Sequence, residues 1–372
     1  MPLSPVPLRV ALDATPLLGA RTGVGVFTDC ALQALAREPG LAVAAFAVSW
    51  RRRQGIRPLL PAGCRMVERP MPARPLHWAW RRFPGPPVEW WTGPQDVVHG
   101  TNFVVPPSRR AARVVTVHDL TTLRFPELCD DATLRFPALV RRAIAEGAWV
   151  HTPSSYVASE VVELLGADPA RVRAIHHGIP AIPAPAGPGP AGPYILALGT
   201  VEPRKDYPLL VAAFDRIAGD RPQLRLVIAG PDGWGAGALG RALAAARFTD
   251  RVTRVGWVGE RERARLFHGA AVFAFPSVYE GFGLPPLEAM AAGVPVVASD
   301  AGALREVVGD GGWLVPQGDV DSLARALATV VDDAATAAAL VERGRARAGA
   351  FSWERCARAL AGLYADARDA KG

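Results

Sequence analysis

Short apolar runs recur along the whole chain, and longer segments of mixed character separate them. In the first half the runs lie at residues 8–12, 41–48, 97–98, 114–117, 150–151 and 172–175. In the second half they lie at 194–198, 224–229, 252–255, 272–275 and 295–298. Helical stretches lie between them, for example up to residue 37, at 209–218 and at 334–348. This alternation predicts an α/β protein with parallel sheets that are covered by helices on both faces.

A segment rich in proline and glycine divides the chain near its midpoint. Residues 180–193 contain six prolines and three glycines, a density that neither a helix nor a central strand tolerates. We therefore predict a first domain over 1–180, a linker over 181–193, a second domain over 194–352 and a C-terminal helix over 353–372. Both halves begin with an apolar run, a glycine-bearing turn and a helix, which predicts two doubly wound domains. We expect the ligand site in the cleft between them, where strand carboxyl ends and helix amino ends meet.

The basic residues are unevenly distributed. The chain has 372 residues with 42 basic and 35 acidic side chains, a net charge of +7. Residues 1–180 carry 21 Arg against 14 Asp and Glu and hold the whole excess, whereas residues 181–372 are neutral. Two interpretations stay open: a face for an anionic membrane or a phosphorylated acceptor, and a solvated surface in an arginine-rich protein. Nucleic-acid binding is disfavoured, because no recognised motif accompanies the charge.

The sequence shows no sign of export or of a membrane span. No apolar run approaches the roughly 18–20 residues that cross a bilayer, and the N-terminus lacks the pattern of a secretory signal. The four cysteines are scattered without a CxxC pair, which is typical of free thiols in a reducing compartment and disfavours zinc. We expect a cytoplasmic protein, with peripheral contact at the inner face of the membrane if the basic half binds lipid.

Two adjacent cations stand at the entrance of a helix in the second half. Gly199 and Thr200 follow the run at 194–198, and Arg204 and Lys205 come just before the predicted helix. The planar fork of an arginine and the point charge of a lysine suit a diphosphate. The chain has only two lysines, Lys205 and Lys371, and the second lies at the tail of the sequence. We therefore predict that Lys205 is functional.

The segment EGFGLPPLE predicts a further part of the same site. Glu280 and Glu288 bracket seven residues, and a glycine turn leads into a helix that starts near Leu284. The backbone N–H groups of Phe282, Gly283 and Leu284 are expected to point at an anion, aided by the helix dipole. Carboxylates beside a phosphate site are suited to accept hydrogen bonds from sugar hydroxyls.

Two features of the first half are further candidates. Gly23 and Gly25 in RTGVGVFT predict a turn that either binds a ligand or is only structural, and Thr28 stands where a dinucleotide fingerprint has its third glycine. His118 and Asp119 follow the run at 114–117, where the end of a parallel strand points into the cleft. A histidine that only caps the strand stays an alternative.

The sequence Asp319-Val320-Asp321 matches the DxD pattern of a divalent-metal site. It precedes a predicted helix, however, so that N-capping is the better interpretation. We expect no metal and no other cofactor.

The order and spacing of these motifs resemble the retaining GT-B nucleotide-sugar glycosyltransferases of family four over nearly the whole chain. The matching pieces are RTGVGVF, HGTNFVVPP with VTVHDL, TPSSYVASEVVELLG with IHHGI, LGTVEPRKDYPLLVAAF, and EGFGLPPLE. The pair HGTNFVVPP and VTVHDL looks most like a mannosyltransferase subgroup that acts in surface-polysaccharide assembly. One departure is His177-Gly178, where many members have Asn-Gly, and we interpret it as loop variation.

The resemblance implies a role for the donor-side residues. Arg204 and Lys205 would neutralise the donor diphosphate, together with the backbone after Glu280. Glu280 would bind hydroxyls of the transferred sugar, and Glu288 would bind the nucleoside ribose. The remaining donor contacts would come from Gly199, Thr200, Phe282, Gly283 and Leu284.

The resemblance also assigns residues of the first domain. His118 would lie beside the reacting carbon of the sugar. Gly23 and Gly25 would line the diphosphate or acceptor side, where we also place Asp119. The final helix would cross back onto the first domain.

The function implied is a metal-independent, retaining transfer of a hexose, with mannose from GDP-mannose as the best guess. The acceptor would be a saccharide or a lipid-linked saccharide. UDP-, ADP- or dTDP-sugars and a small-molecule acceptor are alternatives. An epimerase or hydrolase of nucleotide sugars on the same fold stays open, as does an inactive binding subunit.

Overall fold

Two units divide the chain, and the C-terminal segment belongs to the first of them. The computed structural model describes residues 6–19, 23–80, 82–131, 133–185, 187 and 189–371. One unit consists of Met1–Gly178 with Ser352–Gly372, and the other of Ile179–Phe351. The described residues of the segment 181–193 form neither helix nor strand.

The first unit is built on a seven-stranded parallel sheet. Its strands are β1 (Leu8–Asp13), β2 (Leu41–Phe46), β3 (Arg65–Met66), β4 (Val97–Gly100), β5 (Ala112–Thr116), β6 (Trp149–Thr152) and β7 (Val172–Ala174). They lie in the order β3-β2-β1-β4-β5-β6-β7. The strand order therefore reverses between β1 and β4, with β2 and β3 on one side of β1 and β4 to β7 on the other. In β1, Val10 and Leu12 join the core on one face and Ala11 joins the core on the other. A strand that is covered on both faces needs such a continuous apolar run.

In the part of the first unit that the structure describes, six helices precede the second unit in the chain. They are α1 (Gly23–Leu35), α2 (Ala73–Trp80), α3 (Glu89–Thr92), α4 (Thr121–Arg124), α5 (Phe136–Ala145) and α6 (Ser155–Leu165). Helix α1 buries its apolar side chains on one face of the sheet, and α5 and α6 bury theirs on the other. This arrangement is the doubly wound one that the alternating pattern predicts.

The second unit is built on a six-stranded parallel sheet. Its strands are β8 (Tyr194–Leu198), β9 (Arg225–Ala229), β10 (Val252–Gly256), β11 (Val272–Phe275), β12 (Val296–Ser299) and β13 (Trp313–Val315). The strands lie in the order β10-β9-β8-β11-β12-β13, and the strand order reverses between β8 and β11. The helices are α7 (Tyr207–Ile217), α8 (Ala236–Ala245), α9 (Glu260–Gly269), α10 (Leu284–Ala291), α11 (Leu304–Val308), α12 (Val320–Asp332) and α13 (Ala334–Ala348).

The last helix, α14 (Trp353–Asp369), packs in the core of the first unit. The Ser352 side chain accepts a hydrogen bond from the N–H of Arg355 and so caps its amino end. Leu360 and Leu363 lie in the same apolar cluster as Phe27 and Leu32 of α1. None of the helices in the described ranges is both long and apolar enough to cross a membrane.

The predicted α/β class, with two parallel Rossmann-like sheets, is confirmed. Two strands that the apolar pattern does not mark are β3 and β13. The first is only two residues long at a sheet edge, and the second lies between Gly312 and Pro316. The predicted N-cap is also confirmed, because the Asp319 carboxylate accepts hydrogen bonds from the N–H groups of Asp321 and Ser322 at the start of α12.

Candidate functional site

Three charged residues meet at the carboxyl ends of β8 and β11, the two neighbouring strands at which the strand order of the second sheet reverses. Lys205 Nζ lies 2.5 Å from Glu280 Oε1, and Arg204 Nη1 lies 2.8 Å from the same oxygen. Lys205 and Glu280 are 6% and 7% exposed. We call Arg204, Lys205 and Glu280 the ion cluster. In open α/β sheets, ligands bind at this reversal point.

The charge state of the ion cluster follows from its geometry. Burial alone would raise the pKa of Glu280, but the charges of Arg204 and Lys205 outweigh it and hold that pKa at about 2. Burial lowers the pKa of Lys205, and the Glu280 carboxylate opposes that effect. The ammonium also lies 4.5 Å from the centre of the Phe275 ring, which favours its charged form. Arg204 Nε also donates to Glu202 Oε2 at 2.9 Å, so two carboxylates, Glu280 and Glu202, balance the two cations.

The backbone fixes the two loops of the ion cluster against each other. The N–H of Val278 donates to the carbonyl of Arg204 at 2.8 Å, and the N–H of Ala303 donates to the carbonyl of Glu280 at 2.8 Å. Gly302 has φ of +56°, and a Cβ there would clash with the backbone of Glu280. A glycine is therefore required at 302 for the close approach of these loops.

The predicted glycine turn lies directly in front of α10. Gly283 has φ of +106° and precedes Leu284, the first residue of the helix. Phe282 is buried, with its ring edge-on to Phe351 at 5.8 Å between centroids. Pro285 and Pro286 have no N–H, so the backbone donors that this end of α10 can offer an anion are the N–H groups of Gly283 and Leu284.

Glu288 lies in the second turn of α10 and is 2% exposed. Its carboxylate forms an ion pair with Arg263 of α9. Burial lowers the pKa of Arg263 to about 10, against the opposing charge of Glu260. Arg263 has no spacing signal in the sequence, because it stands among several charged residues in ERERAR.

Gly199 and Thr200 follow β8, beside the ion cluster. Gly199 has φ of +150°, its N–H donates to Ala229, and its carbonyl accepts from the Tyr207 hydroxyl at 3.1 Å. Thr200 is partly buried. Gly199, Thr200, the ion cluster and α10 all belong to the second unit.

Gly23 and Gly25 differ from their prediction. Both lie in the first turn of α1, and not in a turn that precedes it. Residues 20–22, which the predicted turn includes, lie outside the described residues. Neither glycine has the positive φ that a tight turn needs, so the backbone continues directly as helix.

His118 lies just past β5 in the first unit. Its Nε2 donates to the carbonyl of Thr101 at 2.8 Å, and its ring lies edge-on to Phe27, 5.2 Å away. Burial lowers the pKa of His118, so the ring is neutral with its lone pair on Nδ1. Asp119 accepts a hydrogen bond from the N–H of Thr121, the first residue of α4.

The comparisons with known proteins cover both units. Residues 180–347 match the family described as glycosyl transferases group 1, and residues 21–181 match glycosyltransferase family 4. O-antigen chain mannosyltransferase B of Escherichia coli is 30% identical over 279 residues, 70% of this chain and 71% of that protein.

Two further similarities extend this result. A D-inositol 3-phosphate glycosyltransferase of Streptosporangium roseum is 34% identical over 60% of this chain and 56% of its own length. The crystal structure of Anabaena HepE in complex with UDP-glucose superposes with a TM-score of 0.72 at 18% identity, over 96% of this chain and 100% of that one. This chain is therefore a glycosyltransferase of family 4, the glycosyl transferases of group 1, with the GT-B fold.

Proposed function

We propose that the chain transfers a mannosyl group from GDP-mannose to a saccharide or lipid-linked acceptor, with retention of configuration, in cell-surface polysaccharide assembly. The observation that carries the proposal is the ion cluster at the reversal point of the second sheet. The choice of mannose is supported by the similarity to an O-antigen chain mannosyltransferase. The similarity to a protein crystallised with UDP-glucose supports a nucleotide sugar as donor.

The proposed reaction places the donor diphosphate against the ion cluster and the amino end of α10. The bond between the anomeric carbon and the phosphate oxygen breaks, and negative charge develops on the diphosphate. Arg204, Lys205 and the backbone N–H groups of Gly283 and Leu284 stabilise that charge, so a divalent metal is not needed. Glu280 and Glu288 accept hydrogen bonds from hydroxyls of the sugar and the ribose.

Retention requires the acceptor to attack on the face that the diphosphate leaves. The acceptor oxygen then forms the new bond to the anomeric carbon, and its proton passes to the departing phosphate oxygen. The role we expect for the neutral ring of His118 is a contact with the transferred sugar. This step uses no carboxylate as a nucleophile.

A thermal-shift screen tests the donor assignment. The chain is heated with GDP-, UDP-, ADP- and dTDP-sugars, and we expect GDP-mannose to raise the melting temperature most, because binding stabilises the folded state. A larger shift with another nucleotide sugar would change the assignment of the donor to that sugar and leave the proposed reaction class unchanged. A shift with none of them would contradict the proposed function.

We also propose that the first unit contacts an anionic membrane through residues 50–92. This segment has nine arginines against two glutamates, so its net charge of +7 equals that of the whole chain. Its exposed side chains include Trp50, Trp78 and Trp90, each more than half exposed. Arginine and exposed tryptophan together favour the interface of an anionic bilayer.

Vesicle co-sedimentation tests the membrane contact. We expect the chain to sediment with vesicles of phosphatidylcholine and phosphatidylglycerol and to remain in solution with phosphatidylcholine alone. Trp78→Ala should weaken sedimentation, whereas Trp257→Ala, at a similarly exposed tryptophan of the second unit, should not. Sedimentation that ignores the anionic lipid would contradict the proposal.

A further inference from the structure

Asp13 is a buried carboxylate that the reaction described above does not use. It is the last residue of β1 and 8% exposed. The strand order of the first sheet reverses between β1 and β4, so Asp13 occupies the position at which open α/β sheets bind ligands. The ion cluster holds the equivalent position in the second sheet.

One oxygen of Asp13 is occupied by the protein itself. Oδ1 accepts a hydrogen bond from the N–H of Thr15 at 2.8 Å and another from the Thr15 hydroxyl. That hydroxyl accepts from the N–H of Val48 at 2.9 Å, so its single proton points to Oδ1. Oδ1 therefore acts only as an acceptor, and its two donors both come from Thr15.

The second oxygen of Asp13 has a different environment. Within the described part of the chain, Oδ2 accepts no hydrogen bond. Burial raises the pKa of Asp13 to about 6, although the two bonds from Thr15 lower it. Oδ2 is not among the buried oxygens that lack a hydrogen-bond partner, so it is open to solvent and can accept a hydrogen bond from a ligand hydroxyl.

Hydrogen bonds join Asp13 to His118 at the same edge of the sheet. The hydroxyl of Thr101, which follows β4, donates to the Asp13 carbonyl at 2.6 Å. The carbonyl of Thr101 accepts from His118 Nε2 at 2.8 Å. A single residue thus connects Asp13 with the histidine that we place beside the transferred sugar.

We propose that Asp13 binds the acceptor, with Oδ2 accepting a hydrogen bond from a hydroxyl of the acceptor saccharide. The inference rests on the proposed transfer reaction and adds the group that holds the second substrate. The ligand class is a neutral polyol. The site offers a negatively charged oxygen that accepts hydrogen bonds, and the contacts described include no cation that would bind an anion. A hydrogen bond of a hydroxyl to a carboxylate orients the acceptor as well as binding it.

The variant Asp13→Asn separates acceptor binding from a structural role. The amide oxygen can keep the Oδ1 position and its two donors from Thr15, so the turn persists and only Oδ2 becomes a donor. We expect kcat/KM for the acceptor to fall about ten-fold to a hundred-fold. The donor KM and the slow hydrolysis of the donor without acceptor should stay unchanged. Asp13→Ser, which removes both oxygens of the carboxylate, is measured in the same way in case the amide variant does not fold.

The assay uses methyl α-mannoside and mannose-containing disaccharides as acceptors, with Asp168→Asn as the matched control. Asp168 is exposed and only caps a turn, through a hydrogen bond from the N–H of Ala170. Wild-type acceptor kinetics in Asp13→Asn would overturn the inference and leave the proposed reaction intact. An equal loss of donor binding and acceptor binding would also overturn it. Failure of the unaltered chain to transfer to any acceptor would count against the proposed function itself.

Discussion

Replacement of Lys205 by methionine removes one of the two cations that hold Glu280. The side chain is buried and nearly the same length, so the change deletes a charge without opening a large cavity. Glu280 keeps Arg204 at 2.8 Å, so we expect a loss at the lower end for a broken buried pair, about 3 kcal/mol. For a unit of this size, that corresponds to a fall of about 6–12 °C in melting temperature.

The same substitution removes the positive charge that Lys205 would place beside the departing diphosphate. Loss of one such contact lowers the rate about 10²–10³-fold in comparable sites, and we expect this for transfer at saturating donor. Calorimetry and a steady-state transfer assay measure the two effects. Lys371→Met is the matched control, because Lys371 is exposed and its Nζ donates to the Ala111 carbonyl in the first unit.

Either of two results would contradict a role for Lys205 beside the diphosphate. One is a Lys205→Met chain that transfers at the wild-type rate. The other is an equal loss of rate in Lys371→Met, which would show that charge removal anywhere in the chain has this effect.

Three further predictions follow from the described contacts. Arg263→Gln leaves Glu288 buried without its partner, so the donor KM should rise about ten-fold in kinetic assays, whereas Arg261→Gln on the exposed side of the same helix should not change it. EDTA should leave transfer intact, and a loss that magnesium or manganese restores would contradict the metal-free reaction. Acidification from pH 7 to 5.5 should destabilise the first unit by about 2 kcal/mol in denaturant titrations, and unchanged stability would contradict this. Burial lowers the pKa of His77 and His118 and, more strongly, of three further histidines there, so the unfolded state binds protons first, at about 1 kcal/mol for each of the three, while Asp13, with its pKa raised to about 6, offsets about one of them. These three histidines are His99, His151 and His177.

The sheets could be predicted from the sequence because parallel strands are covered on both faces. Each such strand must be apolar throughout, as Val10, Ala11 and Leu12 show. The edge strands β3 and β13 are short, and their pairing depends on a neighbour that lies elsewhere in the chain. Local composition does not contain that information.

The donor-side residues could be predicted because a local pattern marks them. A glycine turn before a helix, two adjacent cations and a rare lysine stand close together in the sequence. The pairing of Lys205 with Glu280 could not be predicted, since 75 positions separate the two residues. Arg263 and Asp13 were missed for related reasons: the partner of Arg263 lies on another helix, and Asp13 looks like the ordinary polar end of a strand.

The central claim is that this chain forms a glycosidic bond from a nucleotide sugar. The most direct measurement is release of the nucleoside diphosphate from the sugar nucleotide that the thermal-shift screen selects, with and without a saccharide acceptor. Mass spectrometry of the same samples identifies the product. We predict that release accelerates when the acceptor is added and that the acceptor gains one hexose. Release at the same rate without acceptor, and no lengthened saccharide, would contradict the account and indicate a hydrolase.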